Sequence, residues 1–110
     1  MTSTKPAAKK VRTYKWDPVR HLKTDKDRAA YLEVALEDGD PGLVTAVLGD
    51  IARSKGMTRV ARKAGLGRES LYKSLSKDGN PKLDTLLKIV HALGLKFAVM
   101  VDKDEQARAA

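Results

Sequence analysis

Residues 58–76, "TRVARKAGLGRESLYKSLS", hold two short helical patterns, about 57–64 and 68–76, that meet at "AGLG". Two short helices joined steeply by a tight turn form a helix-turn-helix, which makes chemical demands at fixed positions. Where the helices cross, a small side chain is needed, and Ala61 supplies it. The chain then has to leave the first helix in a left-handed conformation, which Gly65 adopts without a Cβ penalty. Leu66 plugs the turn, while Val60 and Ala64 on one helix and Leu71 and Leu75 on the other form the inner faces. Gly67 is a tolerable N-cap, weaker than Ser or Thr.

With Leu71 and Leu75 turned inward, the start of the second helix exposes Arg68, Glu69, Ser70, Tyr72 and Lys73. In a recognition helix this is the turn that reaches base edges in the major groove. Arg68 suits bidentate binding to guanine, Glu69 suits cytosine N4 or the orientation of Arg68, and Ser70 suits a base or a phosphate, with Lys73 completing the base-reading set. Arg59, Arg62, Lys63, Tyr72 and Lys77 are expected phosphate contacts that set register. The competing reading is two core helices with a solvated basic face, in which Tyr72 packs along the last helix.

Charge distribution favours the first reading. The 110-residue chain carries a net charge of +8, and residues 51–82 hold nine basic and two acidic side chains. Residues 1–24 are also basic at seven to one, residues 25–50 are acidic at two to seven, and residues 83–110 balance at four of each. The positive block that coincides with the two-helix motif points to a polyanion read at one face.

Outward from the motif, the remaining segments read as one mainly helical domain. Asp17 and Pro18 start a short helix over about 18–23, and the "TDKD" capping box starts another from Asp25 to about Glu37, with Ala29, Leu32 and Leu36 inward and Tyr31 and Ala35 alongside. Asp40 and Pro41 open a third, stopped by Gly56. Beyond "KDGNP", a helix from Pro81 places Leu83, Leu86, Leu87, Val90 and Leu93 on an apolar stripe that ends at Gly94. Residues 95–101 then alternate with period two, predicting a strand whose partner is either residues 11–14 or the same strand of a second subunit. The expected organisation is a basic arm over 1–15, a five-helix domain with this short strand over 16–101, and a polar tail over 102–110.

Several of these motifs together resemble a known family. "YLEVALEDGDP", "LGDIARSKGMTRVARKAGL", "LYKSLS", "GNPK" and "ALGLKF" stand in the order seen in the HigA-like probable addiction module antidote proteins, antitoxins of the Xre-type helix-turn-helix superfamily. The resemblance spans about residues 31–100. It implies a lambda-repressor-like domain and a homodimer that binds a palindromic operator in double-stranded DNA, repressing its own operon. It also implies neutralisation of a RelE/ParE-like toxin encoded alongside, in a type II toxin–antitoxin module. A stand-alone helix-turn-helix regulator with no toxin is the alternative.

Other residue classes set limits. The chain has no cysteine, which removes disulfides, thiolate metal sites and cysteine nucleophiles. His21 and His91 lack ligand spacing, and no G-x-S-x-G, H-E-x-x-H or phosphate-binding glycine loop is present, so neither an enzyme, a metal nor a cofactor is expected. Without an apolar span or secretory leader, the expected location is the bacterial cytoplasm, away from membranes. Glu33, Glu37, Asp38, Asp40 and Asp50 offer an acidic docking face for a basic toxin, or a solvated helix face. Trp16 reads as a staple of the N-terminal segment onto the domain.

Overall fold

Six α-helices, one more than the five expected, lie among residues 17–76 and 78–104, which are the residues that the computed structural model describes, and residues 103–104 are helical as well. They are α1 (Pro18–His21), α2 (Asp25–Asp38), α3 (Pro41–Lys55), α4 (Met57–Ala64), α5 (Arg68–Ser74) and α6 (Leu83–Ala92). The expected basic arm, the 11–14 strand, Trp16, Lys77 and most of the polar tail lie outside the described residues.

The helix starts follow from local chemistry. Asp17 caps α1 by accepting from the Val19 N–H at 3.0 Å. At α2 the capping box is complete: Thr24 Oγ1 accepts from the Asp27 N–H at 3.0 Å, and Asp27 Oδ2 accepts from the Thr24 N–H at 3.1 Å. Asp40 holds the N-cap position of α3, but its side chain makes no capping bond. Pro41 at the first turn pre-sets the backbone instead.

The core is built around α3. Leu48 and Ile51 of α3 meet Val60 of α4, Leu71 of α5 and Ile89, Val90 and Leu93 of α6 in one cluster of almost fully buried side chains. Helix α3 packs on α1, α2 and α4, and α4 packs in turn on α5 and α6. A polar network ties the helix ends around this core: Lys55 Nζ donates to Asp25 Oδ1 and to the Leu93 carbonyl, both at 3.2 Å. Asp25 also accepts from Arg28 at 2.8 Å. The Lys55 ammonium, followed by Arg28, holds the Asp25 carboxyl below its usual pKa.

Three expectations need correction. In α6 the buried stripe is Leu86, Ile89, Val90 and Leu93, while Leu83 and Leu87 face solvent. The period is the expected one, but the helix starts at Leu83 rather than Pro81 and its buried face is rotated toward Ile89. In α2 the buried residues are Leu32 and Ala35, with Tyr31 packed beside them, and Ala29 and Leu36 are exposed. Residues 95–101 form no strand among the described residues. Gly94 and Leu95 close the end of α6, the Leu95 N–H donating to the Val90 carbonyl at 3.1 Å, and residues 96–101 run without ladder pairing to another described residue. Alternation specifies which way side chains point; a ladder also needs a neighbouring backbone.

Candidate nucleic-acid interface

Helix α4 separates its residues cleanly. Met57, Val60, Ala61 and Ala64 are buried, and Arg59, Arg62 and Lys63 are exposed. Gly65 then takes φ 71° and ψ 30°, the left-handed cap expected of it. Its N–H donates to the Arg62 carbonyl at 3.2 Å, and the Leu66 N–H reaches the Ala61 carbonyl at 2.9 Å, satisfying two of the helix's last acceptors. Leu66 packs half-buried against the core.

Gly67 is the N-cap of α5 and offers no side-chain cap. Leu71 is completely buried and Leu75, just past the helix end, nearly so, while Ser74 is half-buried. Leu75 therefore closes the core where Ser74 does not. The helix ends at Ser74, short of the expected 76, because the chain folds back beneath its last turn. The Gly79 N–H donates to the Ser76 carbonyl at 2.9 Å. The approach is so close that a Cβ on Gly79 would lie 2.2 Å from the Ser74 carbonyl oxygen and 2.7 Å from that of Lys73.

Arg68, Glu69, Ser70, Tyr72 and Lys73 all face solvent on α5. Arg68 Nη2 donates to the Tyr72 hydroxyl at 3.2 Å, and its guanidinium carbon lies 5.3 Å from the ring centroid. Tyr72 is thus a partner of Arg68 within the helix. The i, i+4 spacing of an Arg and a Tyr on one helix is the signal in the sequence that points to it. Neither partner in this pair is buried, so both remain accessible to a ligand.

The structure also redistributes the charges around this face. Lys63 lines a shallow groove with Lys88 and His91 of α6, two residues that sequence spacing does not join to the motif. Of the acidic block, Asp50 is buried, accepts from the Tyr31 hydroxyl at 2.7 Å and pairs with Arg53, which removes it from any docking face. Glu33, Glu37, Asp38 and Asp40 stay exposed. Among the described residues no three His, Asp or Glu side chains gather as a metal site, and no helix is long and apolar enough to cross a membrane.

This geometry defines a small helical protein with an exposed, basic two-helix face over a single core. The family model for "Probable addiction module antidote protein" matches residues 12–101. An uncharacterized protein of Haemophilus influenzae strain Rd is 42% identical over 84 residues, spanning 76% of this chain and 87% of that protein. No solved structure matches. The chain belongs to the probable addiction module antidote family.

Proposed function

We propose that this protein is the antitoxin of a type II toxin–antitoxin module, and that α4 and α5 are the helix-turn-helix through which it binds and represses its own operator. Family membership carries the antitoxin half of this reading and implies a toxin partner in general; a RelE/ParE-like toxin is the expected kind. The DNA half rests on the first turn of α5, where Arg68, steadied by Tyr72, stands exposed beside Glu69, Ser70 and Lys73. An Arg held at the start of a short exposed helix is suited to bidentate guanine readout. Arg59, Arg62 and Lys63 on α4 flank it as phosphate contacts.

In this reading the domain is of the Xre, lambda-repressor-like type and acts as a homodimer, setting two α5 helices about 34 Å apart in successive major grooves of a palindromic site. It works by binding rather than catalysis. Duplex binding measured from about 50 to 200 mM salt tests the DNA half: a steep loss of affinity is expected, and a flat response overturns it. Within that assay Arg68→Ala relaxes preference at one base position, whereas Arg62→Ala weakens all sequences alike. The toxin half is tested by the neighbouring open reading frame and by co-purification. If no small basic partner is encoded beside this gene and none co-purifies, the antitoxin role is wrong.

A further inference from the structure

The segment after α6 presents apolar side chains to water in an unusual concentration. Val99, Met100 and Val101 are 97, 80 and 71% exposed, and Phe97 is 39% exposed. A contiguous exposed apolar run of this kind marks an interaction surface. Its backbone is equally available. After the Leu95 N–H, no main-chain hydrogen bond links residues 96–101 to another described residue. At the far end the Asp104 N–H donates to Asp102 Oδ1 at 2.9 Å, where the chain turns out of the run.

We infer that a second copy of this chain covers the segment, the two runs pairing antiparallel with Val99 opposite Val99 on the two-fold axis. The inference rests on the homodimer reading above and supplies its seam. A two-fold seam must be self-complementary, each residue meeting the same residue in both directions. About Val99, Lys96 stands opposite Asp102 of the second copy, Phe97 opposite Val101, and Ala98 opposite Met100. Opposite charges meet twice and apolar side chains meet in between, which is the favourable cross-strand arrangement.

Neighbouring registers lack this match. Centring on Met100 sets Phe97 against Lys103 and Ala98 against Asp102, and centring on Ala98 leaves Lys96 against Met100. Parallel pairing in register lays Lys96 beside Lys96 and Asp102 beside Asp102, a repulsive pairing. A bare two-stranded ribbon is only marginally stable in water and needs a further layer. One is at hand: Ala29 and Leu36 of α2 line a groove together with Phe97, Ala98 and Met100, and Glu33 and Glu37 line it as well.

Since the chain has no cysteine, Val99→Cys adds a single thiol. Directly opposed antiparallel residues have Cα atoms about 4.5–5.5 Å apart, within disulfide range. Mild oxidation of the full chain is expected to link Val99→Cys into dimers, while Val101→Cys, with its thiols about 13 Å apart in this register, stays unlinked. In sedimentation equilibrium Lys96→Asp weakens the dimer by about tenfold or more, and adding Asp102→Lys to it restores the affinity. A dimer by sedimentation in which Val99→Cys does not link, or links no better than Val101→Cys, overturns the seam and leaves the homodimer standing. A monomer at all concentrations overturns both. If Val99→Arg abolishes capture of a toxin chain yet leaves the dimer mass unchanged, the edge belongs to the toxin and the seam is wrong.

Discussion

Residues 57–75 and residues 95–102 meet solvent in opposite ways. In the first region the apolar side chains turn inward, with Val60 and Leu71 almost wholly buried, and the charges of Arg62, Lys63, Arg68 and Lys73 turn outward. In the second, Leu95 is tied to the end of α6, but from Phe97 to Val101 the apolar side chains are exposed and no main-chain bond holds residues 96–101 to another described residue. Both regions are regularly patterned, with period 3.6 in one and period two in the other. A helix satisfies its own backbone and needs a neighbour only for its apolar face, whereas a strand needs a neighbour for its backbone as well. The helix pair finds its neighbours in α3 and α6; the C-terminal run borders α2 through its side chains, but residues 96–101 have no backbone partner among the described residues.

The contrast is broken most severely at Leu71. Truncation to Ala leaves a void at the point where α5 meets the core, with an expected loss of about 2–5 kcal/mol, read from denaturant unfolding. Val99→Ala, measured at a dilution where the chain is monomeric, changes stability by about 0.5 kcal/mol or less. Comparable losses for the two would show that residues 95–102 are folded into the core. Gly79→Ala comes next. Its Cβ would meet the Ser74 and Lys73 carbonyls at 2.2 and 2.7 Å, so the turn beneath α5 has to move. We expect a loss of about 1–3 kcal/mol, in the range of overpacked interiors, together with weakened duplex binding as the end of α5 shifts. Gly65→Ala is smaller, about 1 kcal/mol, because the left-handed φ of 71° strains a residue with a Cβ but nothing lies within 4 Å of the added carbon.

These same positions separate what the amino-acid pattern makes legible from what only packing decides. Gly65, Ala61, Leu66 and Leu71 are legible because each demand is local: a positive φ, a small buried side chain, a half-buried turn residue and an inward helical position. The Thr24–Asp27 box is legible for the same reason, being closed within four residues. Rotation of a helix about its axis is not. Period alone does not separate a Leu83–Leu87 face from the Leu86–Ile89–Val90 face that α6 buries, since both run at i, i+3 and i+4 and only the packing partner decides. Asp50 reads as one of five surface acids, and only the placement of Tyr31 and Arg53 makes it a buried acceptor. Gly79 reads as a turn residue, although its close approach to the end of α5 depends on where the chain returns.

The smallest effect isolates a contribution that needs no tertiary partner. At Asp27 the Thr24 backbone N–H, then the Thr24 hydroxyl, lowers the carboxyl's pKa below its ordinary 3.8. A group whose pKa is depressed by folding binds fewer protons in the native state than in the unfolded chain at intermediate pH. Its stabilisation is therefore complete above about pH 4, and it is lost as pH falls below 3.8 and through the folded value. Asp27→Asn keeps an oxygen that can accept from the Thr24 N–H but cannot titrate. The variant is expected to be slightly less stable than the parent at neutral pH and to converge with it in strong acid. Thermal melts from pH 7 to pH 2 measure this directly, and Asp25→Asn separates the two kinds of support. Asp25 owes its lowered pKa first to Lys55, so its acid response reports a contact between α2 and the end of α3. That response should be screened by salt, because it arises between charged side chains. The Asp27 response, made by the hydrogen bonds of a cap, should change much less in the same titration.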